Sequence, residues 1–184
     1  MSKIVFLDFE VANKNPASIC QIGMYVYDNG KKIKISQKIK PWPFKFDDHR
    51  SELHKITADV VANSPTFKNF WKQITKFFNG TYLICAHSAW HDMRYLQRAI
   101  WKFHIHGVKF NYICSQETIK LLLPKDIKLK MGLKSLAEGL NLEFKNHDGF
   151  EDAKMIYQII KKLFYSVEVF EILCKRNNYN YKSF

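Results

Sequence analysis

Apolar residues recur along this chain with two periods, and these divide it into strands and helices. Residues 3–9 (KIVFLDF) form a nearly unbroken apolar run, the pattern of a strand covered on both faces. Residues 19–28 and 31–40 read as two strands around Asp28-Asn29-Gly30, a tight hairpin turn, and Pro41 and Pro43 end the second. From 44 to 64 the pattern is irregular, with one short helix expected around 57–62. Over 66–78, Phe67, Phe70, Trp71, Ile74, Phe77 and Phe78 share one helical face, which marks them as core, and Asn79-Gly80 stops the helix. A buried strand at 81–86 (TYLICA), a helix over 90–103 and a fifth strand at 109–114 (KFNYIC) follow. Helices are expected at 115–122, 132–139, 150–164 and 166–176. This reads as a single domain over 1–176 with a short, loosely held tail at 177–184. Three strands followed by alternating helices and strands predict an α/β fold. Its centre is a five-stranded mixed sheet with helices on both faces and an antiparallel hairpin at one side.

Composition narrows the function classes. A chain of 184 residues, 47% hydrophobic and 25% charged, can bury one sizeable core. No apolar run approaches the roughly 20 residues of a membrane span, and the N-terminus enters a charged, strand-like segment rather than a secretory leader. No membrane association is expected. The four cysteines (Cys20, Cys85, Cys114, Cys174) are scattered without a CxxC pair, three of them in apolar strand-like stretches. Buried free thiols and a reduced cytoplasmic setting fit that pattern. The net charge of +12 and pI near 9.5 suit a polyanionic partner. However, 25 of the 29 basic residues are Lys, a profile that A/T-rich coding bias also produces. The denser clusters are KKIKISQKIK at 31–40 and Lys125, Lys128, Lys130 and Lys134. Lysine meets phosphate as a point charge, so binding through these clusters would be largely blind to base sequence.

The acidic residues change the picture more. FLDFE supplies Asp8 and Glu10, AHSAWHDMRYL supplies Asp92, and HDGFEDA supplies His147 and Asp152. Asp8 and Glu10 are two apart on a strand, so they leave the same face. Asp8 also ends a buried strand, where an unpaired charge is expensive. Asp92 opens a helix after a buried strand, the edge at which ligands gather in open α/β sheets. His147 precedes a helix, and Asp152 lies in its first turns; histidine is the side chain best suited to take a proton from water near neutral pH. Each feature has a plainer explanation taken singly: a solvated strand end, a helix-start acid, a loop histidine. Together, four carboxylates repel unless divalent cations intervene, and Mg²⁺ binds carboxylates together with phosphate oxygens. Phosphate-ester chemistry is therefore the leading expectation.

FLDFE, AHSAWHD and HDGFEDA resemble the three motifs of the DEDDh superfamily of 3′–5′ exonucleases, in the manner of the epsilon proofreading subunit of bacterial DNA polymerase III. FEVANKNPASICQIG, HKITADVVANSPTF, YICSQETIKLLLP and LKSLAEGLNLEFKNHDGFEDA extend the resemblance in order over residues 3–160. It implies a ribonuclease H-like fold. It also implies two divalent cations, Mg²⁺ or Mn²⁺, held by Asp8, Glu10, Asp92 and Asp152, with His147 as general base. The expected substrate is a single-stranded 3′ end, DNA in preference to RNA, and the product a nucleoside 5′-monophosphate. A DNA polymerase is an expected partner; oligomeric state is open. Phe9, Val11, His54, Ser88 and Trp90 are the candidate substrate contacts, Phe9 and Trp90 as base-stacking platforms. His87 is expected to be structural. Val11 stands where relatives carry Thr, Ser88 and His91 replace Asn and Phe, and Gly149 replaces Ala, so differences are expected in substrate preference. An exoribonuclease or short-oligonucleotide nuclease is the nearest alternative. A non-catalytic nucleic-acid-binding or polymerase-tethering subunit is the alternative of another class, and such a module has no need of clustered carboxylates.

Overall fold

The computed structural model describes residues 2–144, 147–176 and 182–183. Its strands are β1 (Lys3–Val11), β2 (Ile19–Asp28), β3 (Lys31–Lys38), β4 (Leu83–Ala86), β5 (Asn111–Cys114) and β6 (Lys182–Ser183). Its helices are α1 (Asp48–His54), α2 (Ala58–Val61), α3 (Phe67–Ile74), α4 (Trp90–Lys102), α5 (Ser115–Leu122), α6 (Leu133–Gly139), α7 (Gly149–Phe164) and α8 (Val167–Arg176). The sheet order is β3-β2-β1-β4-β5-β6. β1 pairs antiparallel with β2 and parallel with β4, which pairs parallel with β5. This is the mixed α/β sheet expected from the apolar pattern.

Two expectations need correction. A sixth strand, Lys182–Ser183, pairs antiparallel with Asn111 and Tyr112 at the outer edge of β5, so part of the expected tail closes the sheet. Two residues carry no readable periodicity; pairing with an open strand edge decides them. Residues 177–181 and 184 lie outside the described residues. The second difference is α1, which lies in the stretch read as irregular. Only His54 of its seven residues is buried, so it leaves no apolar stripe in the sequence.

Strand alternation sorts β1 into two cores. Val5, Leu7, Phe9 and Val11 pack into one with Phe67, Trp71, Met93 and Leu96 of α3 and α4. Ile4 and Phe6 point the other way, against Ile156, Tyr157 and Ile160 of α7. Asp8 and Glu10 continue that second face toward the start of α7. All four cysteines are buried free thiols. The lysine-rich β3 is the outer strand beside β2 and is mostly exposed, so its lysines also serve to block pairing with other chains. No helix among the described residues is long and apolar enough to cross a membrane.

Gly23 seats α7 on the sheet. It lies opposite Asp8 in the β1–β2 register. A Cβ there would come within 1.9 Å of the carbonyl carbon of Gly149, at the first turn of α7. Both sides of this contact are backbone, so neither can yield by changing rotamer. Gly23→Ala is expected to cost about 3 kcal/mol or more and to lower Tm by about 6–12 °C in a thermal melt. An unchanged Tm would mean that α7 does not rest on Gly23.

Candidate active site

β1 outruns its neighbour. Its pairing with β4 ends at Leu7 and Ala86, so residues 8–11 extend past the end of that strand. There the Phe9 N–H donates to Asp92 Oδ1 at 3.2 Å, which fixes the start of α4 against β1. Asp92 is buried, only 4% exposed. From the other side, the start of α7 is clamped to β2 by Gln21. Its amide nitrogen donates to Asp148 Oδ2 at 3.1 Å, and its amide oxygen accepts the Gly149 N–H at 3.2 Å. Asp148 Oδ1 caps the helix by accepting the N–H groups of Phe150 and Glu151 at 3.0 and 3.1 Å. One turn on, Asp152 meets the carboxylates of β1. Ligand oxygens of Asp8, Glu10 and Asp152 all lie within 4.8 Å of one another.

This cluster is electrostatically costly. Loss of water around it, then repulsion from Asp152, Asp92 and Asp148, pushes Glu10 up to about 8, against a smaller opposing pull from Arg50. Burial lifts Asp92 to about 8 as well, although the Phe9 N–H pulls it back. Burial and then Asp148 lift Asp152 to about 7, opposed by backbone N–H groups of His147 and Asp148. Asp8 is raised well above the ordinary carboxylate range, first by burial and then by Asp92, Asp152 and Glu10. Asp152 Oδ1 is buried with no hydrogen-bond partner among the described residues. An orphaned carboxylate oxygen beside two other carboxylates is a donor set suited to hard divalent cations, which prefer oxygen ligands and relieve the repulsion. Gly149 leaves room for it: a Cβ there would sit 3.2 Å from the Asp8 carbonyl oxygen and 3.6 Å from Asp8 Oδ2.

The remaining expected residues divide. His147 is exposed, precedes the cap of α7 and has a left-handed φ of 66°. It lies close enough to His54 to disfavour that ring's protonation, behind the larger effect of burial. His54 itself turns inward. Its Nδ1 accepts the Ile56 N–H at 3.0 Å, and Nε2 lies 3.4 Å from the Val11 carbonyl oxygen, to which it donates. It braces the strand end. Phe9 and Val11 also turn inward. They are 6% and 4% exposed and packed in the α3–α4 core, because side chains between Asp8, Glu10 and the next residue leave the opposite face. The Phe9 ring, expected as a stacking platform, is packed in the core. Ser88, with φ of 54°, donates its hydroxyl to Gln116 Oε1 at 2.8 Å. Trp90 is 58% exposed and lies against His91, with ring centroids 3.7 Å apart and the rings tilted by 34°. His87 bridges Met131 O at 2.7 Å and Ser115 Oγ at 3.0 Å, a structural tie.

Gln21, Gly23, Asp148 and Arg50 were not singled out in the sequence. Gly23 carried a usable signal, since a glycine inside an apolar strand often marks a close backbone approach. The other three are polar residues without a local pattern.

The exonuclease family RNase_T matches residues 5–160. Among solved structures, the chain is similar to cell-death related nuclease 4 (CRN-4), with a TM-score of 0.75 at 17% identity over 90% of this chain and 64% of that one. Exonuclease X in complex with 5′-overhanging duplex DNA gives 0.65 at 19% identity over 94% and 99%. A 3′-exonuclease recognising the 3′ end of a histone mRNA stem-loop gives 0.71 at 17% identity over 88% and 63%. The chain thus spans under two thirds of the first and third of these. At such identities the likeness is one of fold. A comparison with curated proteins finds no significant match.

Proposed function

We infer that this chain, which belongs to the RNase_T exonuclease family, is a divalent-cation-dependent 3′–5′ exonuclease releasing nucleoside 5′-monophosphates from single-stranded DNA ends. The observation that carries this reading is the buried, unpartnered Asp152 Oδ1 beside Asp8 and Glu10, in a family of exonucleases. Asp8, Glu10, Asp92 and Asp152 would hold two cations, Mg²⁺ or Mn²⁺. When bound, these would neutralise the carboxylates, acidify the attacking water and offset charge on the leaving oxygen.

The protein's own groups do the rest. His147, exposed where α7 begins, takes a proton from the water as it attacks the phosphorus of the last phosphodiester. The bond from phosphorus to the 3′ oxygen breaks, the terminal nucleotide leaves as its 5′-monophosphate, and the shortened strand keeps a 3′-hydroxyl. Gln21 and Asp148 hold α7, and so His147 and Asp152, in register with β1. Trp90 offers its exposed face to the terminal base, beside Ser88. DNA is favoured because exonuclease X, the neighbour matched over nearly its whole length, is bound to DNA. The histone mRNA exonuclease supports RNA as the alternative substrate. A cytoplasmic setting and a polymerase partner, as for the epsilon subunit that the motifs resemble, belong to the same reading.

The test is a 5′-labelled oligonucleotide in Mn²⁺, as DNA and as RNA. The label should stay on a descending ladder of products, with DNA shortened faster. Release of the label as a mononucleotide at the earliest times would reverse the polarity, and faster loss of RNA would transfer the reading to an exoribonuclease.

A further inference from the structure

A cleft outside the carboxylates lies between α4 and the loop at 15–17 after β1, with a volume of about 610 Å³. Arg94, Arg98 and Lys102 line it from the helix, and Trp42 and Trp101 complete it; no acidic residue does. Two of the four arginines in this lysine-rich chain are thus spent in one place. Trp101 is 72% exposed and Trp42 43%, unusual for indoles with no structural task. Their rings are paired with cations: Lys102 Nζ sits 3.6 Å from the Trp42 ring centroid and the Arg98 guanidinium 6.0 Å from that of Trp101.

One helix links the cleft to the carboxylates: α4 carries Asp92 in its first turn and Arg94, Arg98, Trp101 and Lys102 further along. Arg50 is close enough to Glu10 to stabilise its charge, and both Arg50 and Arg94 oppose protonation of His91, behind the effect of burial. Arg94 and Arg98 follow His91 along α4, and Arg50 is near enough to act on both His91 and Glu10. Along α4, Asp92 and Trp101 are nine residues apart, about 13 Å at 1.5 Å per residue. That is the length of a few nucleotides at about 3.4 Å or more apiece.

We propose that this cleft is the lane for the single-stranded part of the polynucleotide upstream of its 3′ end, with Arg94 and Arg98 on phosphates and Trp42 and Trp101 as platforms for unpaired bases. It deepens the exonuclease reading by naming where the strand lies beyond the terminal nucleotide. Arginine and tryptophan suit this occupant because guanidinium meets phosphate in two-point contact and any base can stack on indole. A duplex has no free base faces for the indoles. An acidic peptide would satisfy the arginines but has no reason to follow a track that ends at four carboxylates.

Binding in EDTA separates this from turnover. The dissociation constants of fluorescein-labelled oligo(dT), about 20 or about three nucleotides long, are measured by anisotropy for wild type, Trp101→Ala and Arg98→Ala. Trp101→Ala should weaken the longer strand about 5- to 100-fold and the trimer less, and reduce quenching of indole emission on binding. Arg98→Ala should also weaken it and lower the slope of log affinity against log salt by about one. Both side chains are exposed, and an unchanged circular dichroism melt confirms folding. Equal losses for long and short strands, equal losses for a duplex, or unchanged affinity would overturn the lane. So would displacement of the DNA by an Asp-rich peptide at lower concentration than by unlabelled oligo(dT). Because hydrolysis is never read, an inactive enzyme would refute the exonuclease reading while leaving this result legible.

Discussion

Replacing His147 by alanine is expected to slow turnover about 10²–10⁴-fold, the usual scale for a lost general base, while Mn²⁺ affinity barely changes. The histidine is exposed and lies outside the carboxylate cluster, so its loss removes a proton acceptor and no cation ligand. Raising the pH should restore part of the rate, because hydroxide then replaces the base. Asp152→Ala should behave differently. It deletes the buried carboxylate that meets Asp8 and Glu10, so Mn²⁺ binding by calorimetry should weaken and alkaline pH should not help. The pair of variants separates proton transfer from cation binding. Near-normal turnover of His147→Ala at neutral pH would remove the histidine from the reaction and leave the carboxylates as its only support.

The second large effect is on stability without cations. Folding holds the carboxyl groups of Glu10, Asp92 and Asp152 above their ordinary range, at about 8, 8 and 7, chiefly by burial. Over the interval from about pH 4 to about pH 8, the folded protein therefore binds more protons than the unfolded chain. Stability must fall as pH rises through that interval. For Asp152 alone, the rise from 3.8 to about 7 corresponds to about 4 kcal/mol at the alkaline end. In EDTA, Tm should drop on the order of 10 °C between pH 5 and 8, taking about 2–4 °C per kcal/mol for a chain of this size. Saturating Mn²⁺ at pH 8 should recover it, since cations bind the folded cluster and not the unfolded chain. Asp152→Asn should flatten the EDTA profile, because the amide neither titrates nor repels. A metal-free Tm that is flat or rises toward pH 8 would contradict the arrangement of the four acids.

Local pattern was enough for the frame. The unbroken run in KIVFLDF, the Asp28-Asn29-Gly30 turn and the aromatic face of α3 each depend on neighbours a few residues apart and form as their spacing requires, except that α3 ends at Ile74 and a 3₁₀ turn over Thr75–Phe77 replaces its expected last turn. The spacing of Asp8 and Glu10 likewise put both acids on one face before any fold was known. The same parity places Phe9 and Val11 on the other face, in the core. Where local pattern was thin, pairing partners decided: α1 buries little beyond His54, and β6 exists because the edge of β5 accepts it.

The rest of the site belongs to tertiary structure alone. Gln21 and Gly149 meet across 128 positions of sequence, and Gly23 matters only because α7 returns to cross it. Arg50 comes near Glu10 and His91 only when the segment after β3 and the start of α4 converge. The sequence determined which chemical groups were present and which way each strand and helix would turn them. The sheet register determined which of them meet. Hydrogen bonding, repulsion and loss of water act over a few ångströms, whereas these residues lie far apart along the chain until the core closes around β1.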